Sequence, residues 1–229
     1  MYKKAFPILM YHSIASKPKG TKMRSLHVNP KRFSFQMKML KFFGYRGICM
    51  TELKPYLMGD KSGKVVGLTF DDGYQNNLSN ALPILKKLGF TATLYLVSEK
   101  LGGVNDWDTK RGLPENRLMD IKEIEEWIGN GMEIGSHTEN HINLIDCNNK
   151  IAFNEINQSK INLEKTFKIK VAHFCYPYGN FDNRLLSIVK KVGYETATST
   201  LRGRSSVDDP ILALPRVRIT HHTLPHLFL

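Results

Sequence analysis

Along this 229-residue chain, apolar runs bounded by turn residues alternate with stretches of helical period from one end to the other. That alternation marks repeated strand–helix units and a largely parallel sheet, so the fold class is α/β. The runs predict strands at Phe6 to His12, Tyr45 to Ile48, Val65 to Phe70, Thr91 to Val97, Met132 to Ser136, Val171 to Tyr176, Tyr194 to Thr198 and Ile211 to Val217. Between the first two, Asn29 caps a helix with Pro30 at its first position, Phe33, Met37 and Leu40 on one face, and Gly44 as its stop. Further helices are predicted at Asn76 to Leu88, Asp120 to Ile128, Lys150 to Thr166 and Asn183 to Val192. A single α/β barrel commonly takes roughly 200 to 250 residues, so residues 1–229 are expected to form one domain. Lys100 to Arg117 breaks the alternation and reads as a long loop. Trp107 within it either walls a sugar site or folds back onto the body.

The charge balance, 33 Lys+Arg against 21 Asp+Glu, gives +12 and favours anionic partners or a solvated basic surface. The basic residues are scattered, in pairs such as Lys86-Lys87 and Lys190-Lys191. With no recognised nucleic-acid module, nucleic acid is not expected as a partner. Cys49, Cys147 and Cys175 form no Cys-x-x-Cys pair and read as reduced thiols. The apolar run Phe6 to Tyr11 is broken by Pro7 and too short for a secretory signal. No run approaches the length of a transmembrane helix. The expectation is a cytoplasmic chain, or one peripheral to the inner membrane face; the apolar Leu227-Phe228-Leu229 either packs on the body, associates with another chain or touches a membrane.

Three segments carry chemistry. Leu68-Thr69-Phe70 runs straight into Asp71-Asp72-Gly73, placing two carboxylates at the carboxyl end of a strand, where catalytic groups of α/β folds gather. Consecutive residues diverge there, so one acid can bind a metal while its neighbour faces a water; an Asp-Gly turn with a helix cap fits the same residues. Ser136-His137-Thr138-Glu139-Asn140-His141 follows the next but one predicted strand. A helical turn there would stack the two imidazoles on one face, and two histidines with one carboxylate make a facial metal set with open positions for water and substrate. Phe174-Cys175-Tyr176-Pro177-Tyr178-Gly179 forces an irregular loop after another strand. There the Tyr178 amide could meet an oxyanion and the aromatic rings a sugar face; a plain strand-to-helix turn is the other reading.

Together, the Thr-Phe-Asp-Asp-Gly-Tyr, Ser-His-Thr-x-x-His and Tyr-Pro-Tyr-Gly runs, in this order between Leu68 and Gly179, resemble the polysaccharide deacetylase, or NodB-homology, family of carbohydrate esterases (family 4). The resemblance implies a distorted (β/α) barrel of seven or eight mainly parallel strands. It implies one divalent metal on Asp72, His137 and His141, zinc first with cobalt or nickel also accepted, and Asp71 as general base. The reaction it implies releases acetate from an N-acetylated glycan or sugar conjugate, with Pro177 and Tyr178 at the substrate and oxyanion; a binding-only member of the same fold is the alternative.

Two departures stand out. The family's usual arginine two residues before the motif proline is Cys175 here, which leaves the orientation of Asp71 to another group. Arg216, near the end of the last predicted strand, is the candidate, because a guanidinium fork suits a carboxylate. No Leu-x-His stands in a late strand, and His221, His222 and His226 lie beyond it. His12 ends the N-terminal strand and resembles the opening of a rearranged branch that includes poly-N-acetylglucosamine deacetylases, in which it would serve as general acid.

Overall fold

A computed structural model of the chain describes residues 5–16, 26–111, 115–220 and 223. The elements run β1 (Ala5–Phe6), β2 (Ile8–Tyr11), α1 (Pro30–Phe42), β3 (Arg46–Ile48), α2 (Met50–Leu57), β4 (Val65–Phe70), α3 (Leu82–Leu88), β5 (Thr93–Leu96), α4 (Ile121–Gly129), β6 (Glu133–Ser136), α5 (Asn149–Phe167), β7 (His173–Cys175), α6 (Asn183–Val192), β8 (Thr196–Arg202), β9 (Ser205–Ser206) and β10 (Leu214–Arg218). The strands β2, β10, β8, β7, β6, β5 and β4 follow one another around a parallel sheet. Pairing of Ile8–Tyr11 with Gly67–Phe70 closes that sheet into a seven-stranded barrel, and β3 flanks the first half of β4. The N-terminal strand thus lies between the last strand and β4. No helix of the described residues is long and apolar enough to cross a membrane.

Alternation along each strand divides the core in two. Leu9, Tyr11, Val66, Leu68, Phe70, Leu94, Ile134, Phe174 and Ala197 pack outward against the helices. Ile8, Tyr95, Cys175 and Leu214 fill the interior. Gly135 takes an inward position because a Cβ there would come within 2.5 Å of the Tyr95 ring and 2.9 Å of the His173 carbonyl.

The amino end of the barrel is closed by a polar layer. Glu133 accepts N–H bonds from Met50 (3.1 Å) and Thr51 (3.3 Å), at the start of α2, and a hydroxyl bond from Thr93. His173 stands 3.4 Å from the same carboxylate, with its other nitrogen 2.9 Å from Thr196 Oγ1. Burial pushes the Glu133 carboxyl up, but the bonds from His173, Thr51 and Thr93 outweigh it and hold the group below its ordinary 4.5. A carboxyl depressed on folding contributes stability that is complete above the unfolded value and is lost as pH falls through the folded one. Glu133→Gln is therefore expected to cost about 1–3 kcal/mol at neutral pH. In urea titrations the gap between variant and wild type should close as pH drops below 4.5; a gap independent of pH would contradict this role.

Several expectations need correction. The first predicted strand is two, because Pro7 interrupts it: β1 pairs antiparallel with β9, while β2 enters the barrel and leaves His12 just past its end. The helix predicted at Asn76 to Leu88 begins as a π-helical turn, Asn77–Ala81, before α3. Helix α2 went unpredicted because Pro55 lies inside it. The segment Lys100 to Arg117 contains a 3-10 helix, Asp106–Arg111, that carries Trp107. Asp120 caps α4 through a full capping box with Glu123, and all three cysteines are free thiols, both as the sequence implies.

Candidate active site

Asp71 continues the inward row of Gly67 and Thr69 at the carboxyl end of β4. Asp72 then turns into the left-handed region at φ 74°, and Gly73 follows at φ 82°. The two carboxylates therefore point in different directions, as two separate tasks require. The histidines converge without the helical turn the spacing suggested. Residues 137–143 are not helical, and Thr138 (φ 69°) and His141 (φ 58°) are both left-handed. Side chains fold this loop: Thr138 Oγ1 accepts the His141 N–H (3.0 Å), and Glu155 of α5 accepts those of Glu139 (3.1 Å) and Asn140 (3.0 Å). Of the five non-glycine residues at positive φ among the described residues, four (Asp72, Thr138, His141 and Tyr178) belong to this site. Such backbone costs about 1–3 kcal/mol per residue, so the surrounding structure must hold it in place.

Asp72, His137 and His141 are buried and offer ligand atoms that all lie within 4.8 Å of one another. Nε2 of His137 is 3.4 Å, and Nε2 of His141 3.3 Å, from Asp72 Oδ1. Nδ1 of His137 lies 2.7 Å from the Cys175 carbonyl, which can only accept, so Nδ1 carries a proton and Nε2 faces inward, holding a second proton toward Asp72 or, once that proton is lost, a lone pair for an ion. Ligands of a tetrahedral zinc, each roughly 2.0–2.1 Å from the ion, stand about 3.3 Å apart. The donor set therefore fits a divalent cation in both chemistry and spacing. Burial lowers the proton affinity of His141. It opposes charge on His137 too, but Cys175, Asp72 and Asp71 outweigh it and push that ring well up. A proton on His137 competes with a cation for the same nitrogen.

Behind Asp71, Arg216 of β10 is buried with all five donors used. Nη1 and Nη2 grip Asp71 Oδ1 (2.7 Å) and Oδ2 (2.8 Å), and Nε donates to the Ser199 carbonyl (2.9 Å). The remaining bonds reach Thr69 Oγ1 (3.0 Å) and Cys175 Sγ (3.2 Å). Thr69 donates its own hydroxyl proton to the Leu9 carbonyl (2.9 Å), which turns a lone pair toward the guanidinium. Burial pushes the Asp71 carboxyl up, but the Arg216 charge and hydrogen bonds outweigh it and keep Asp71 below the usual carboxylate range. For Asp72 the bonds from His137 and His141 likewise outweigh burial.

Trp107 stacks on the His141 imidazole at 4.4 Å between centroids, 19° from parallel, and the Tyr178 ring packs edge-on to the same imidazole at 4.8 Å. Nδ1 of His141 has no hydrogen-bond partner among the described residues, so aromatic packing holds this ring. Tyr178 itself sits at φ 60° in the turn Pro177–Gly179, and its carbonyl accepts from Thr200 (3.2 Å). Gly179 is at φ 76°, and a Cβ there would lie 2.0 Å from Thr200 Oγ1. Gly179→Ala is accordingly expected to displace the Tyr178 turn and lower activity by at least about tenfold, while melting falls only a few degrees. Unchanged turnover would show that the turn's position is unimportant.

His12 Nε2 stands 3.8 Å from Asp71 Oδ2, so the N-terminal histidine does reach the site. His221, His222 and His226 lie outside the described residues. All of Asp71, Asp72, His12, His137, His141 and Tyr178 line one cavity of about 440 Å³, with Arg216 directly beneath Asp71 and Pro177 buried in the turn. Three charged lining residues were not among the candidates drawn from the sequence: Asp108, Arg202 and Arg218. Arg218 follows Arg216 by two residues in one strand and so shares its face, a signal the sequence did contain.

The comparisons agree with this construction. The family model described as polysaccharide deacetylase matches residues 58–197. The Bacillus subtilis (strain 168) protein YxkH, whose name places it among the polysaccharide deacetylases, is 33% identical over 216 residues, covering 93% of this chain and 71% of its own. The poly-beta-1,6-N-acetyl-D-glucosamine N-deacetylase of Staphylococcus aureus (strain N315) is 26% identical over 218 residues, 90% of this chain and 72% of its own. Among solved structures, the Streptococcus pyogenes deacetylase PplD in complex with acetate superposes with a TM-score of 0.85 at 30% identity, covering 98% of this chain and 96% of that one. IcaB from Ammonifex degensii, at 21% identity and a TM-score of 0.84 over 97% and 95%, shares the fold. With its barrel, its three motif loops and these relatives in agreement, the chain belongs to the polysaccharide deacetylase family.

Proposed function

We propose that this chain hydrolyses the acetamide of an N-acetylated sugar in a glycan or glycoconjugate, releasing acetate and a free amine, with one divalent metal, zinc first, held by Asp72, His137 and His141. The observation that carries the reading is the convergence of those three buried ligand atoms beside an aspartate locked in its ionised form by Arg216. When bound, the cation supplies Lewis-acid polarisation of the acetyl carbonyl and raises the acidity of water.

The chain's own residues do the rest. Asp71, an acceptor with both oxygens fixed, takes a proton from the attacking water. The Tyr178 N–H is assigned to the developing oxyanion. His12, with Nε2 3.8 Å from Asp71 Oδ2, gives a proton to the departing nitrogen, without which an amine is a poor leaving group. Trp107 and Tyr178 flank His141 and provide aromatic surface for a sugar ring at the cavity wall. A binding-only reading gains no support from these residues, since every group the reaction needs is present.

Acetate release from N-acetylglucosamine oligomers, β-1,6-linked as in the S. aureus relative's name and β-1,4-linked, tests the proposal. Release is expected to stop with chelator and to return with zinc, cobalt or nickel. Chelator-resistant turnover would remove the metal from the proposal, and no release from any acetylated sugar would remove the reaction.

A further inference from the structure

We infer that Asn76, Asn77 and Asn80 are positioning residues for the reaction: their amides form a clamp that fixes His12 against Asp71, and the inference rests on the acid role given to His12 above. Strand β2 ends at Tyr11, whose carbonyl accepts the Asp71 N–H (3.0 Å), so His12 stands just beyond the ladder. Side chains take over there. Asn77 Nδ2 donates to the His12 carbonyl (2.8 Å) and Asn80 Nδ2 to the Ile14 carbonyl (2.8 Å). The Ile14 N–H is shared between Asn76 Oδ1 (2.8 Å) and Asn77 Oδ1 (3.3 Å), and Asn76 Nδ2 donates to the Ser13 hydroxyl (2.9 Å). Asn77 and Ser13 are fully buried, so their bonds lie out of reach of water, where a hydrogen bond is stronger and a missing one costs more.

Local preferences do not explain the three asparagines. They cluster where the chain starts a helix, and asparagine is a weak helix former. Asn76 stands at the N-cap position yet makes no side-chain cap bond, its amide being directed to Ser13 and Ile14 instead. The turn that follows, Asn77–Ala81, is π-helical, a rare form that recurs at functional sites. A residue choice that works against its own element points to a role elsewhere. Asp71 lies in the same connection after β4, whereas His12 is 65 residues from Asn77 in sequence. One short segment therefore carries both the proposed base and the amides that register the proposed acid against it, 3.8 Å from His12 Nε2 to Asp71 Oδ2.

A proton donor matters to a departing amine and not to a leaving group that departs as a stable anion. The readout is therefore the ratio of kcat for an N-acetylglucosamine oligomer to kcat for 4-nitrophenyl acetate, in which the folded and metal-loaded fractions of a preparation cancel. In Asn77→Ala this ratio is expected to fall by about a hundredfold, the loss that roughly 1 Å of misplacement brings, with KM for the oligomer within about twofold of wild type. Asn76→Ala and Asn80→Ala, at half-buried positions, should each lower it by about three- to tenfold, and they carry the test if Asn77→Ala fails to fold. His12→Ala sets the reference loss. In that background Asn77→Ala should lower the ratio no further, because a group that acts through His12 has nothing left to position. Equal losses on amide and ester in the asparagine variants, or full additivity with His12→Ala, overturn the clamp and leave the reaction intact. A ratio untouched by His12→Ala removes the acid role and the clamp with it. No acetate from any acetylated sugar, with the ester still cleaved, removes the reaction and the inference together.

Discussion

Arg216→Met is expected to destabilise the chain by about 3–5 kcal/mol and to abolish measurable turnover, the largest effect foreseen for a residue that touches no substrate. The substitution removes the partner of both Asp71 oxygens and leaves a buried carboxylate, the Ser199 carbonyl and the Thr69 hydroxyl without their donor. Most of the cost comes from the orphaned charge rather than from lost contacts. The double variant Arg216→Met/Asp71→Asn should therefore recover much of the stability, by urea unfolding, while remaining inactive. Arg216→Lys separates folding from positioning: it keeps the charge but cannot bridge two oxygens and a carbonyl at once, so stability should return further than kcat. A double variant no more stable than Arg216→Met would contradict the pairing argument.

Asp72→Asn and His137→Gln are each expected to lower kcat/KM by at least about a thousandfold, since an ion worth several kcal/mol of transition-state stabilisation is lost with its ligands. Asparagine is chosen at 72 because it tolerates the left-handed backbone that this position requires. The independent measurement is thermal melting with and without added zinc. A ligand that binds only the folded chain raises the midpoint of wild type, and each variant should lose that increment. A zinc-induced shift that survives in Asp72→Asn would place the ion elsewhere.

Much of the molecule could be read from the chain alone, for a local reason. Apolar runs and caps are short-range signals, so the strand and helix order, and the placing of Asp71, His137 and Tyr178 just beyond strand ends, follow from neighbours in sequence. Alternation adds which residues share a face. The barrel interior was thus implicit in the spacing of Gly67, Thr69 and Asp71, or of Arg216 and Arg218. Where local signals compete, the reading failed: Pro55 hid α2, and the four-residue histidine spacing suggested a helical turn that does not form.

What tertiary structure alone decided is how distant groups meet. That Arg216 grips Asp71 across 145 residues depends on β2 closing the sheet between β10 and β4. The conformation of the histidine loop depends on Glu155, from a helix later in the chain, satisfying its amides. The stacking of Trp107 on His141 depends on a segment with no period of its own. Each is a contact whose energy is realised only after the chain has closed on itself, whereas caps, turns and apolar periods act between residues already held together by the backbone.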